Sequence, residues 1–168
     1  MTTNPEHRLP TDESLSAWCD DIAEHATQHG IYIATAESLT AGNLAAMLGK
    51  SPSAGDWYRG GIVAYHKDVK HSLLEVPQGP VVCEDAAVAM ARSAARLLGA
   101  QLAIAITGEA GPETQEDQPP GTVWIAVYDR GEITTDRQNF GGEPEAVLAQ
   151  TLSFSIACLR QHVKKRST

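Results

Sequence analysis

The chain has 168 residues, a mass of 17.9 kDa, a net charge of −8 and an isoelectric point near 5.1. That length suits one domain with its own core, and the acidic balance argues against non-specific binding to nucleic acid or to an anionic membrane, since both favour basic surfaces. Three cysteines, Cys19, Cys83 and Cys158, stand far apart with no zinc spacing, a pattern that predicts buried, reduced thiols in a cytoplasmic protein.

Residues 1–12 read as a flexible leader, polar and without the apolar centre of a signal peptide, and residues 13–168 as a single domain. No apolar run reaches the ~18 residues of a membrane span. Leu15, Trp18, Cys19, Ile22, Ala23 and Ala26 recur at helical spacing between Ser14 and His29, and Gly30 suits the end of that helix. Ile31–Ala34 reads as a short strand and Thr40–Leu48 as a helix. "KSPSAGDW" is a loop by composition. "GIVAY" (Gly61–Tyr65) reads as a buried strand, His66–Leu74 and Cys83–Leu98 as helices, and "LAIAI" (Leu102–Ile106) as a central strand covered on both faces. After the polar loop "TGEAGPETQEDQPPG" come strands Thr122–Tyr128 and Ile133–Phe140, joined through Asp129-Arg130-Gly131, and a last helix from Pro144 to Val163 with a basic tail. Early strands alternating with helices predict a three-layer α/β/α domain with a mixed, mostly parallel sheet, ending in a β-hairpin and a helix.

Three strand ends carry residues capable of chemistry. Ser38 follows the first strand, where α/β sheets bind ligands and the next helix aims N–H groups at them. Ser38 or Thr40 equally suits plain helix capping. Tyr65 ends the second strand, and Lys70 lies one and a half turns further on. A desolvated lysine, or one near another cation such as Lys67, accepts a proton from serine more readily, whereas a solvated lysine is only surface charge. Thr107 and Gly108 end the third strand, where a hydroxyl and backbone N–H groups suit an oxyanion and a glycine turn is the plainer reading. His25 and His29 share a helix face but lack the glutamate and third ligand of a metalloprotease site. Glu109 and Glu113 read as solvated loop residues.

"TAESLTAG", "GGIVAYHKDVK", "TGEAGP" and "QPPGTVW", in that order, resemble the motifs of the C-terminal domain family of the competence/damage-inducible protein CinA. The resemblance runs from about Ser14 to Leu159. That family includes stand-alone nicotinamide-nucleotide amidohydrolases. The resemblance implies a serine amidohydrolase that converts nicotinamide mononucleotide and water into nicotinate mononucleotide and ammonia. Ser38 would be the nucleophile, Lys70 its base, Tyr65 an orienting or relaying group, and Thr107 a stabiliser of the tetrahedral intermediate. Thr40, Gly42, Gly108, Gly111 and Gly121 would contact substrate. It implies no metal and no cofactor, a small pyridine nucleotide as the only ligand, and a homo-oligomer, a dimer or larger.

The chain departs from the family pattern at Leu39, Ala41, His66, Lys67 and Glu109. Gln118, Pro144 and Leu148 stand where the family usually has one lysine and two arginines, so cations suited to a phosphate are missing. Two other readings are therefore a silent paralogue that binds a nucleotide without turning it over, and an assembly partner.

Overall fold

The computed structural model describes residues 9–165. Most of the leader expected over residues 1–12 lies outside them. Thr11 caps the first helix, α1 (Asp12–His29), by accepting the Ser14 N–H at 3.2 Å, and Asp12 and Glu13 stand at the positive end of the helix dipole. Gly30 ends α1 in the left-handed conformation, φ 62°, and turns the chain into β1 (Ile33–Glu37).

The remaining elements are α2 (Asn43–Gly49), α3 (Ala54–Trp57), β2 (Tyr58–Val63), α4 (Lys67–Leu73), α5 (Glu84–Leu98), β3 (Leu102–Gly108), β4 (Thr122–Asp129), β5 (Glu132–Asn139) and α6 (Pro144–Lys165). The sheet order is β2-β1-β3-β4-β5. β1 pairs in parallel with β2 and β3, while β3–β4 and β4–β5 are antiparallel, so only β4 runs against the other strands. This is the three-layer arrangement expected, with a mixed sheet in which most strands share one direction. β4 and β5 form the hairpin, and Arg130 and Gly131 at its turn both have positive φ, 50° and 95°, the pairing that a two-residue turn between twisted strands requires.

Alternation along the strands assigns each face a different chemistry. On one face Ile33, Leu102, Ile104, Ile106, Ile125 and Val127 pack under α1, α2, α3 and α6. On the other, Ala34, Ala36, Ala103, Ala105 and Ala126 meet the alanine-rich side of α5 around Met90, with Leu74 and Val76 after α4 in the same cluster. Small residues on both sides let α5 approach the sheet closely. Among the described residues no helix is long and apolar enough to cross a membrane.

Three expectations change. The segment read as a loop contains α3, whose Trp57 is buried and donates through Nε1 to the Pro52 carbonyl. β2 begins at Tyr58 and ends at Val63, and it is a half-exposed edge strand, because β1 is its only neighbour in the sheet. α2 starts at Asn43, later than Thr40, because Ala41 and Gly42 hold left-handed φ values of 48° and 93° that interrupt a helix.

The tight α5–sheet contact gives a test. Ala103→Leu is expected to lower stability by about 1–3 kcal/mol through overpacking, whereas Ile104→Leu, on the opposite face, costs less than about 1.5 kcal/mol. Urea melts of the two variants measure the difference.

Candidate active site

All strands but β4 end on one edge of the sheet, and the loops leaving them enclose a cleft of about 700 Å³. Its size suits a small-molecule site. Ser38 after β1, Tyr65, His66, Lys67 and Lys70 after β2, Gly108 to Gly111 after β3, and Pro144 and Leu148 at the start of α6 line it. Two chain segments, one after β1 and one after β2, thus bring Ser38 to the same cleft as Tyr65 and Lys70.

The turn that carries Ser38 is built by its neighbour. Glu37 is wholly buried, and its carboxylate accepts the N–H of Leu44 at 2.9 Å and of Ala45 at 3.0 Å. Those N–H groups open α2, so Glu37 caps the helix from the strand before it, and Gly42 at the N-cap makes no side-chain bond. The capping role open to Ser38 or Thr40 is therefore filled by Glu37. The helix N–H groups expected to face a ligand are likewise occupied by the protein's own carboxylate. Ala41 N–H donates to the Ser38 carbonyl at 3.0 Å and closes the turn. Beneath it, Thr35 Oγ1 lies 2.7 Å from the Tyr58 hydroxyl, whose pKa burial pushes up to about 12 with help from the Glu37 charge.

Ser38 is 5% exposed and Lys70 4%, yet both reach the cleft. Burial lowers the Lys70 pKa below the ordinary lysine value, and the charges of Glu116 and Glu109 oppose that shift. Among the described residues no hydrogen bond links Ser38 Oγ to Lys70 Nζ. Catalytic hydrogen bonds are often long before substrate arrives. Tyr65 is 70% exposed and stands on the rim.

The acidic loop is not solvated as its composition suggests. Glu109 is 8% exposed, and its carboxylate accepts the N–H of Gln115 at 3.1 Å and of Glu116 at 3.2 Å. Glu116 in turn accepts the N–H of Val81 at 2.7 Å and of Val82 at 2.9 Å. Two carboxylates thereby fix the loop to itself and to the wall before α5. Glu113 is exposed, as expected.

Thr107 is wholly buried, and its hydroxyl donates to the Val81 carbonyl at 2.6 Å. It holds the same wall from the other side and is not among the cleft-lining residues. Gly108 and Gly111 line the cleft, whereas Thr40, Gly42 and Gly121 do not. Thr40 Oγ1 is buried without a partner among the described residues. Gly121, at φ 86°, is required by packing, since a Cβ there would collide with the Phe140 carbonyl oxygen.

Sequence reasoning missed Glu37 and Glu116. The signal for Glu37 was an acid closing a buried apolar strand, where an unpaired charge is too costly to keep. The bonds of Glu116 span 34 and 35 residues and leave no local trace.

A parallel-strand edge carrying a buried serine and a buried lysine defines an α/β domain with a serine–lysine cleft. The model of the CinA C-terminal domain matches residues 16–163, and the chain belongs to that family. It is 34% identical to the nicotinamide-nucleotide amidohydrolase PncC of Pseudomonas putida over 83% of this chain and 91% of that protein. Protein YdeJ of Escherichia coli is 38% identical over 92% of this chain and 93% of its own length. A crystal structure of a CinA superfamily protein from Klebsiella pneumoniae 700603 superposes with a TM-score of 0.85, at 35% identity over 90% of this chain and 98% of that one. Some relatives are longer, and the chain spans 29–37% of their length.

Replacing Glu37 by Ala strands the buried Leu44 N–H and the part-buried Ala45 N–H, so stability should fall by roughly 1.5–3 kcal/mol for the buried bond and less for the other. Denaturant titration of Glu37→Ala measures this, and a loss below about 0.5 kcal/mol would show that α2 caps itself.

Proposed function

We propose that the chain is a serine amidohydrolase acting on a pyridine carboxamide of the nicotinamide-nucleotide type. The observation that carries this reading is the pairing, in one cleft, of a buried serine with a lysine whose burial favours its neutral form. The kinship with an amidohydrolase supports the choice of reaction.

In this reading Ser38 Oγ adds to the carboxamide carbon while its proton passes to neutral Lys70 Nζ. Charge gathers on the carbonyl oxygen, where backbone N–H groups of the Ser38–Leu39 turn and of Gly108 or Ala110 stabilise it, the Glu109 N–H being donated to the Thr122 carbonyl. The C–N bond breaks, the Lys70 ammonium protonates the leaving nitrogen, and ammonia departs from an acyl ester on Ser38. Water, giving a proton to Lys70, adds to the ester carbon. The carboxylic acid leaves and Ser38 Oγ regains its proton. Tyr65 orients the substrate or relays protons from the rim. Thr107, committed to Val81, positions the wall.

A second reading, binding without turnover, is favoured by the lack of a direct Ser38–Lys70 hydrogen bond. Ammonia release from a panel of pyridine carboxamides separates the two. Turnover should drop roughly a thousandfold or more in Ser38→Ala and in Lys70→Met. It should rise with pH through an apparent pKa below the ordinary lysine value of 10.5, because protonated Lys70 accepts no proton. Activity that survives Ser38→Ala would defeat the proposal, and tight binding with no ammonia would favour the second reading.

A further inference from the structure

The charges around the cleft say which carboxamide it takes. Its lining carboxylates are Glu109, Glu113 and Glu116, and its basic side chains are Lys67, Lys70 and His66, whose Nδ1 accepts the Asp68 N–H and lies 3.6 Å from the Asp68 carboxylate. Lys70 must be neutral to accept the serine proton, which leaves Lys67 and His66, the latter already beside Asp68, against three carboxylates. Among the described residues no arginine lines the cleft. Arg59 donates to the Leu98 carbonyl and lies over the Tyr32 ring, Arg96 pairs with Glu75, and Arg160 pairs with Asp21.

Two helix starts near the cleft are poorly suited to a phosphate. The N–H groups that open α2 are held by Glu37. The first turn of α6 meets the cleft with apolar Pro144 and, one turn on, Leu148, and it carries Glu145. A phosphate monoester bears up to two negative charges and needs charge-assisted donors to offset its lost hydration. This cleft presents it with carboxylates instead. A ring cation, by contrast, is stabilised by the same carboxylates, and Leu39, Pro144 and Leu148 give the ring and sugar apolar contact.

We propose that the cleft selects a phosphate-free carboxamide with a cationic ring, a pyridinium nucleoside in place of its phosphorylated form. This rests on the amidohydrolase reading above and narrows its substrate class.

The test compares nicotinamide riboside with nicotinamide mononucleotide, by ammonia release with the native chain and by calorimetric titration of Ser38→Ala. The riboside should be favoured at least tenfold in kcat/KM and in affinity. Glu113→Arg, on an exposed lining residue without a hydrogen bond among the described residues, should narrow that ratio by strengthening the mononucleotide. Equal or better turnover of the mononucleotide would overturn this inference and leave the amidohydrolase reading standing. With no ammonia from either compound the amidohydrolase reading falls, and the titration alone decides the preference. Tighter binding of the riboside would then uphold it, while equal affinities or no binding would overturn it.

Discussion

The buried carboxylate of Glu37 is the constraint on which the rest of the site depends. A negative charge without solvent persists in a fold only when donors surround it, and here the donors are the first free N–H groups of α2. The bond ties the end of β1 to the start of a helix six residues later, and the chain between them must turn sharply. Ala41 takes a left-handed φ of 48° to make that turn, a conformation costing a residue with a Cβ about 1–2 kcal/mol. Ser38 is the first residue of this turn. Its position is thus a consequence of where Glu37 finds its partners.

The opposite wall is fixed by the same kind of chemistry. Glu109 holds the loop that contains Glu116, Glu116 holds Val81 and Val82, and Thr107 holds Val81 from β3. These bonds carry β3, the acidic loop and the approach to α5 as one unit facing Lys70. The two carboxylates therefore act twice, as fasteners of backbone and as charges that favour the ammonium form of Lys70 against its burial. Lys70 thus sits in a balance of opposed effects, burial against the two neighbouring carboxylates.

Much of the fold was legible because its signals are local. "LAIAI" is wholly apolar, and its alternation of large residues with alanine already encoded which face meets α5. Gly30 and Gly99 mark helix ends with left-handed φ values of 62° and 64°. Asp129-Arg130-Gly131 marked the hairpin. The candidate nucleophile and tyrosine were legible as residues following strands, the lysine as a residue on the helix after the second, and the four motifs pointed to the family. The short α3 was not, since a single turn anchored by one buried tryptophan has no period to detect. Nor was the burial of Glu109, because a glutamate in a polar loop looks solvated until the N–H groups that receive it are known. Thr107 was read as facing ligand, and the length of the Val81 segment gave no hint that it would return to claim the hydroxyl.

The proposed hydrolysis requires Ser38, set by Glu37, to be a nucleophile activated by buried Lys70. Reaction with a fluorophosphonate, followed by intact mass and peptide mapping across pH, tests it most directly. One adduct is expected, on Ser38, forming faster as pH rises through a midpoint below the ordinary lysine value of 10.5 and lost in Lys70→Met. An unlabelled Ser38, or an adduct that forms equally fast with methionine at position 70, would contradict it.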